Sequence, residues 1–464
     1  MKGLGTIVSE CEQTAAAVVA RSGRLSSFQQ AMLLWEELHP YNAAHAVRLT
    51  GRADVASLSA AAHRAARETG IGELALDCDK RAYQYLPLHT IPIRELPEAV
   101  DADHTLCAVI TEELKAPFPA GPHHPIRWVV FNDETGDSHF VVLVYHHVAS
   151  DGFGVQAFLG LVLAYYLCSP GFSEGRDAVT AAERREQTSD HRRGKTQYFR
   201  PLVRTACEYF HLRSAHRMHE RKEGGEETTF VVRGAGDGLV DRLSRVCRDR
   251  KVGINDVVLA ATGSAIADMT PLRRVRSRRR KLALSTVVSL RKTVRGEREN
   301  DWGVFLRDCV ILLDEPDAEF ATVLRQVTDQ TRKLKADRAA DQAARLPFVR
   351  YVWPLLRIPH ARASYQKLFP ICAGVSTIAG SELRFGKAAA GILRYVRACP
   401  PGPAMPMVIA PTVMGGRLEL GLVSRDSCLD EDQRGPLLER ILNRVEEFAD
   451  ATGCQANEEA RVVH

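Results

Sequence analysis

The stretch Tyr145-His146-His147-Val148-Ala149-Ser150-Asp151-Gly152 sets two adjacent histidines, an aspartate and a glycine at the spacing HHxxxDG. Before it, His139-Phe140-Val141-Val142-Leu143-Val144-Tyr145 is a short, β-branched apolar run that reads as a buried strand. After it, Phe153 to Cys168 is mostly apolar and long enough for a helix. The histidines therefore fall on a loop between a strand end and a helix N-terminus, where a rigid scaffold holds reactive groups within reach of a substrate.

Three readings of the loop compete. An imidazole with a pKa near ~6.5 takes and returns a proton at neutral pH, which suits a base that activates a hydroxyl or amine against a thioester carbonyl. As a metal site, His147 and Asp151 supply two ligands, but no HExxH or CxxC pattern adds the others, so no metal is predicted. A structural pair satisfied by backbone groups is the ordinary reading of a lone histidine. Two histidines, a carboxylate and a glycine on one loop shift the balance toward chemistry. Ser150 suggests a serine hydrolase, yet Ala149-Ser150-Asp151-Gly152 lacks the GxSxG elbow.

A chain of 464 residues with 45% hydrophobic content can bury one large or two ordinary cores. Two lobes are expected, 1–180 with the motif and 229–464, joined by a basic connection at 181–228. No uncharged apolar run reaches the ~18 to 20 residues that span a bilayer, and Ser9, Glu10, Glu12 and Gln13 interrupt any signal-peptide core. Eleven scattered cysteines without CxxC fit reduced thiols, and a cytoplasmic location is predicted.

The first lobe reads as mixed α/β. Strands are expected at Ala46–Leu49, Leu74–Leu76, Tyr83–Leu86, Trp128–Phe131 and His139–Tyr145, with a helix capped by Asp54 and another over Ala102–Leu114. The second lobe resumes at Thr229–Val232, with helices over Asp237–Asp249, Asn255–Met269, Ala318–Ala336 and Phe348–Leu368. Its remaining strands are expected at Leu282–Leu290, Phe305–Leu313, Ala373–Ile378, Met407–Thr412 and Leu418–Leu422. A final amphipathic helix follows from Asp430, with Leu437, Leu438, Ile441, Leu442, Val445 and Phe448 on its apolar face.

Two basic stretches stand out: Arg184 to Lys222, including Arg192-Arg193 and Lys195, and Arg273 to Lys281. Each reads either as solvated surface or as a dock for an acidic carrier protein, CoA phosphates or an anionic membrane surface. Nucleic acid is not predicted, because the net charge is only +5 and no nucleic-acid motif accompanies the patches.

The motif loop resembles the active-site motif of the HHxxxDG acyltransferase superfamily, which includes peptide-synthetase condensation domains, wax ester synthase/diacylglycerol acyltransferases and chloramphenicol acetyltransferase. Further segments follow in the relatives' order. Pro125-Ile126-Arg127-Trp128 is similar to the Pro-Leu-Trp element of the wax ester synthase branch, and Gly253 to Ala260 to its Asn-Asp-Val-Val-Leu-Ala helix start. Val288-Ser289-Leu290-Arg291, with Asn300 and Gly303, resembles the second-lobe strand and Asn-Gly turn of both branches. Leu25 to Gly51, with Gln29, Gln30 and Tyr41-Asn42, looks more like a condensation domain. The likeness covers roughly residues 25 to 450. It departs at Ser376-Thr377, where Thr stands in place of Asn, and at Thr69 to Leu74, which lacks the Leu-Arg pair of condensation domains.

The resemblance implies two chloramphenicol-acetyltransferase-like lobes with a tunnel between them, His147 as base, and His146 in a structural role. Asp151 is matched to a pairing with Arg291 that fixes the loop, and Gly152 to close approach of the backbone to substrate. Donors for the developing oxyanion are sought at the Gly152 N–H, Ser376 and Asn300. Asn255-Asp256 reads first as a helix cap, and Trp128 and Trp302 as core or tunnel wall. The expected activity is a stand-alone transfer of an acyl group from acyl-CoA or a phosphopantetheine thioester of an acyl-carrier protein to an alcohol or amine, in lipid or secondary metabolism, with no bound cofactor. The rival is a non-catalytic condensation-like module that binds a carrier protein or acyl group.

Overall fold

The computed structural model describes residues 21–167, 210–221, 227–275, 278–291, 302–336, 365–378 and 385–461. The first half of the chain supplies β1 (Ser22–Arg24), α1 (Ser27–Trp35), β2 (Asn42–Thr50), α2 (Val55–Thr69), β3 (Glu73–Asp77), β4 (Ala82–Leu86), β5 (Ile93–Glu95), α3 (Ala102–Lys115), β6 (Ile126–Asn132), β7 (Ser138–His146) and α4 (Gly152–Leu167). The second half supplies β8 (Thr228–Gly234), α5 (Leu239–Asp249), α6 (Ile254–Met269), β9 (Leu282–Ser289), β10 (Leu306–Leu313), α7 (Phe320–Ala336), β11 (Ala373–Val375), β12 (Ile392–Ala398), β13 (Met407–Met414), β14 (Arg417–Arg425) and α8 (Glu431–Arg461). The architecture is the expected mixed α/β arrangement of two sheet-containing lobes.

β7 lies at the centre of a five-stranded sheet of order β12-β2-β7-β6-β5 and is buried at every position. Helices cover both sheet faces, which is why its sequence is continuously apolar rather than alternating. On one face α2 and α4 pack together. Asp54 caps α2 by accepting from the Ser57 N–H, and Leu58, Ala61, Ala62, Ala65 and Ala66 form its buried stripe. On the other face, Leu106, Val109, Ile110 and Leu114 of α3 pack against β-strand side chains that include Phe230 and Val232 of β8.

The six-stranded sheet has the order β10-β9-β11-β13-β14-β8, with β9, β11 and β13 parallel and the outer pairs antiparallel. Its core joins α5, α6, α7 and α8 to one sheet face, and the six apolar residues expected of the last helix are all buried there. A small sheet, β1-β4-β3, completes the structure and pairs the strands expected at 74–76 and 83–86.

One strand crosses between the lobes. β12 pairs antiparallel with β2, Val396 opposite Ala46 and Arg397 opposite His45, so the motif-bearing sheet takes its edge from residues far into the second half of the sequence. A division of the chain at 228/229 is thus not the division of the sheets. β12 is absent from the sequence reading because Arg394 and Arg397 interrupt the apolar alternation of Gly391-Ile392-Leu393-Arg394-Tyr395-Val396-Arg397.

The basic patch at 273–281 is also reassigned in part. Arg273 is only 1% exposed, and its two Nη atoms donate to the Asp317 carboxylate at 2.8 and 2.7 Å. It is an interior tie between the end of α6 and the approach to α7, whereas Arg278 and Arg280 stay exposed. Most of the connection at 181–228, with Arg192, Arg193 and Lys195, and most of the helix expected over 348–368 lie outside the described residues. Among the described residues, no single helix is long and apolar enough to cross a membrane.

Candidate active site

β7 ends at His146, and the backbone turns through His147 to Asp151 before α4 begins. Every step of that turn is tied down. His147 N–H donates to the Tyr41 carbonyl at 3.1 Å, Gln29 Nε2 to the Val148 carbonyl at 2.9 Å, and Asp151 N–H to the Gly303 carbonyl at 3.0 Å. Ser150 Oγ donates to the Gly303 carbonyl and accepts from the Gly303 N–H, both at 3.2 Å. Fully buried and engaged on both sides, that hydroxyl fastens the loop and leaves no room for a nucleophile's role. Gly303 has φ 143°, a region that a side chain disfavours, so the turn that receives the motif loop requires glycine.

Asp151 is the junction. Its Oδ1 accepts from the Phe153 and Gly154 N–H groups at 3.0 Å each, capping α4 where the helix dipole favours a negative charge. The same oxygen accepts from Arg291 Nη2 at 2.6 Å, and Oδ2 accepts from the Phe305 N–H at 2.9 Å. The structure thus brings Asp151 and Arg291 together as a buried ion pair, with side chains 0% and 2% exposed. Arg291 also stacks on the Phe305 ring, 4.6 Å from its centroid.

The two histidines face different ways. His146 is buried in the first lobe, where Nε2 meets Glu36 Oε1 at 2.7 Å and Nδ1 meets His123 Nε2 at 3.2 Å, while its ring stacks on Phe118. His147 stacks on Tyr41 and meets Tyr145 edge-on, with ring centroids 5.6 and 5.5 Å apart. Its Nδ1 lies 3.1 Å from the Ser150 carbonyl. Burial pushes the His147 pKa below the ordinary value, against the opposing pull of backbone hydrogen bonds and the Asp151 charge.

His147 opens onto a cavity of about 100 Å³ whose wall also includes Gly152, Thr286, Asp308, Ser376 and Arg397. A smaller cavity of about 20 Å³, lined by Gln29, Tyr83, Tyr85, Ala149 and Gly303, lies beside the loop but does not include His147. The larger one is therefore the cavity to which the motif loop presents His147. A Cβ on Gly152 would lie 3.0 Å from Ile378 Cδ1, 3.7 Å from His45 Nε2 and 3.8 Å from Arg397 Nη1, so the glycine keeps this wall open. Ser376 accepts from Arg397 Nη2 through its carbonyl at 2.5 Å and through Oγ at 3.4 Å.

Of the residues singled out in the sequence, His147, Gly152 and Ser376 meet at the cavity, Asp151 and Arg291 stand behind it, and His146 points away. Asn300 lies outside the described residues. The Asp256 carboxylate accepts from the Gly253 N–H at 3.2 Å, and Asn255 Nδ2 reaches Thr286 Oγ1 at 3.4 Å. Trp128 is buried in β6, and Trp302 Nε1 donates to the Tyr85 hydroxyl at 2.7 Å. Sequence reasoning missed Arg397, Asp308 and His45. His45 is fully buried against Tyr395, and burial together with the Arg397 charge pushes its pKa well below the ordinary value. No local signal marks these three: Asp308 and Arg397 line the cavity from β10 and β12, and His45 lies beside it, opposite Arg397 in the β2–β12 pairing.

A family model described as the condensation domain matches residues 20–342. No curated protein sequence matches the chain. In fold the chain is similar to the first condensation domain of the CDA synthetase, with a TM-score of 0.64 and 16% identity over 92% of this chain and 96% of that one. It is similar to TRI3 trichothecene 15-O-acetyltransferase from Fusarium sporotrichioides, with a TM-score of 0.66 and 13% identity over 93% and 95%. A third neighbour is a mutant starter condensation domain of rhizomide synthetase in complex with C8-CoA and Leu-SNAC, with a TM-score of 0.64 and 14% identity over 92% and 94%.

Proposed function

This chain belongs to the condensation-domain family, and we propose that it transfers an acyl group from a thioester to an alcohol or amine with His147 as the general base. The observation that carries this reading is the state of His147. A carbonyl only accepts hydrogen bonds, so Nδ1 keeps its proton on the Ser150 carbonyl and the lone pair resides on Nε2. Burial keeps the ring neutral at pH 7, and the ring lines the cavity.

In the proposed step, Nε2 takes the proton of the acceptor O–H or N–H while that oxygen or nitrogen attacks the thioester carbonyl carbon. The tetrahedral oxyanion then collapses, the C–S bond breaks, and the leaving thiolate recovers the proton from the imidazolium. The Gly152 N–H at the start of α4 and the Ser376 hydroxyl are candidate donors on the cavity wall, with Asn300 as a further candidate. Asp151 does not line the cavity. Through Arg291 and the helix cap it sets the position of Gly152 and of the turn that carries His147. Acyl-CoA and the phosphopantetheine thioester of a carrier protein are both admissible donors, and the group they share needs no cofactor bound to this chain.

Mass spectrometry of products tests the reading. The protein is offered octanoyl-CoA and octanoyl-carrier thioesters with mixed amines and alcohols. New ester or amide masses are expected from the parent and not from His147→Ala. A parent that forms none, yet binds the carrier protein tightly, would instead be the non-catalytic binding module.

A further inference from the structure

Arg397 is 1% exposed, on a wall shared with His147. Its Nη2 is held by Ser376 and lies 3.7 Å from Cys399 Sγ, whereas Nε and Nη1 are buried without a hydrogen-bond partner among the described residues. Four other interior arginines each hold a carboxylate. Arg273 holds Asp317, Arg291 holds Asp151, Arg425 holds Glu220 and Arg434 holds Asp426. Arg397 has no such carboxylate among the described residues. A guanidinium stays charged at any relevant pH, and a buried charge without a counter-ion is costly. The chain therefore maintains a desolvated cation, with two unsatisfied nitrogens, on a residue that lines the cavity where acyl transfer is proposed.

We propose that Arg397 is a specificity-determining residue that binds a carboxylate carried by one of the two substrates. The inference rests on the acyl-transfer reading for the identity of the cavity. A planar monoanion matches a flat, singly charged guanidinium. The carboxylate has two possible sources: the far end of a dicarboxylic acyl chain on the donor, or an amino or hydroxy acid acting as acceptor. Nη1 stands 3.8 Å from the point that a Cβ on Gly152 would occupy, so in either case the carboxylate binds within a few atoms of the reacting carbonyl.

Two arms separate the sources, each read both by isothermal titration calorimetry and by kcat/KM. In the donor arm succinyl-CoA is compared with butanoyl-CoA. In the acceptor arm leucine is compared with leucinamide, and 3-hydroxybutyrate with 3-hydroxybutyramide. The carboxylate member is expected to win in one arm by about 30-fold or more, the order of a desolvated charge-assisted pair. Arg397→Met should collapse that ratio at least tenfold, and Arg397→Lys should restore part of it, because the charge remains while the planar fork is lost. Equal treatment of both members in both arms by the parent overturns the proposal. So does an unchanged ratio in an Arg397→Met protein that melts like the parent, or an equal loss on both members, which would mark a transition-state or structural role. If both variants fail to fold, the parent's ratios decide. Turnover with flat ratios keeps acyl transfer and sinks this inference. A calorimetric preference without turnover does the reverse.

Discussion

His146 and His147 are neighbours in sequence with opposite surroundings. His146 is sealed into the first lobe between Glu36, His123 and Phe118, with both ring nitrogens occupied. His147 has one nitrogen on the Ser150 carbonyl and lines the larger cavity. The same side chain is thus a fastener on one side of the loop and a candidate base on the other, and the difference comes from what each ring touches. The largest test of that contrast is His147→Ala, which should lower kcat by ~10² to 10⁴ while leaving the thermal midpoint near the parent's. Parent-like turnover would remove the contrast altogether.

What keeps the two sides apart is the Asp151–Arg291 pair, which pins the loop to the turn at Gly303 and Phe305. Removing either partner leaves the other buried and uncompensated, so Asp151→Ala and Arg291→Ala should each cost about 3 to 5 kcal/mol in denaturant unfolding, with rate lost as well. The double variant should cost clearly less than the sum, since each single change already breaks the pair. Additive costs would show that the two sides are separated by packing alone.

The contrast was partly legible in the sequence. The strand before the motif and the helix after it follow from uninterrupted apolar runs. The Asp54 cap, the strands at 128–131 and 139–145 and the last amphipathic helix follow from local chemistry that needs no distant partner. The roles expected of the two histidines, and the pairing of Asp151 with Arg291 across 140 positions, come from resemblance, because HHxxxDG by itself does not say which histidine meets the cavity. Arg397 was not legible by either route. It stands on a strand whose partner, β2, lies some 350 positions upstream, and its burial is decided by the crossing of that strand into the first sheet.

Acid should weaken both sides of the loop at once. His45, His123, His124, His139 and His147 all have pKa values pushed below the ordinary value, in each case chiefly by burial, and that of His124 falls to about 4. In the unfolded chain each takes a proton near pH ~6.5, so between that pH and the lower folded value the unfolded state binds more protons. Stability is then fully present above pH 6.5 and falls as pH drops toward the folded values, by about 3 kcal/mol from His124 alone when pH reaches ~4. Urea midpoints at pH 7, 5.5 and 4.5 measure it, and a flat profile would mean that these rings are hydrated. The acid limb of kcat/KM should lie below pH 6.5 for the same reason.

The smallest effect is expected on the sealed side, and it is the sharpest check on the comparison. His146→Phe keeps an aromatic ring against Phe118 but gives up the contacts to Glu36 and His123, and Glu36 is already 25% exposed and can turn to water. The net loss should therefore be only about 1 to 2 kcal/mol of stability, with turnover reduced far less than in His147→Ala. The charge that His146 can carry is one of the influences lowering the His147 pKa. Its removal should shift the acid limb of kcat/KM upward, toward 6.5, because one source of repulsion against the His147 imidazolium is gone. A pH–rate profile of His146→Phe reads that shift directly. An unmoved limb with parent turnover would make the two sides electrostatically independent. A collapse of turnover to the His147→Ala level would show that the chain Glu36–His146–His123 takes part in the proton's path, and that the two sides of the loop are one device.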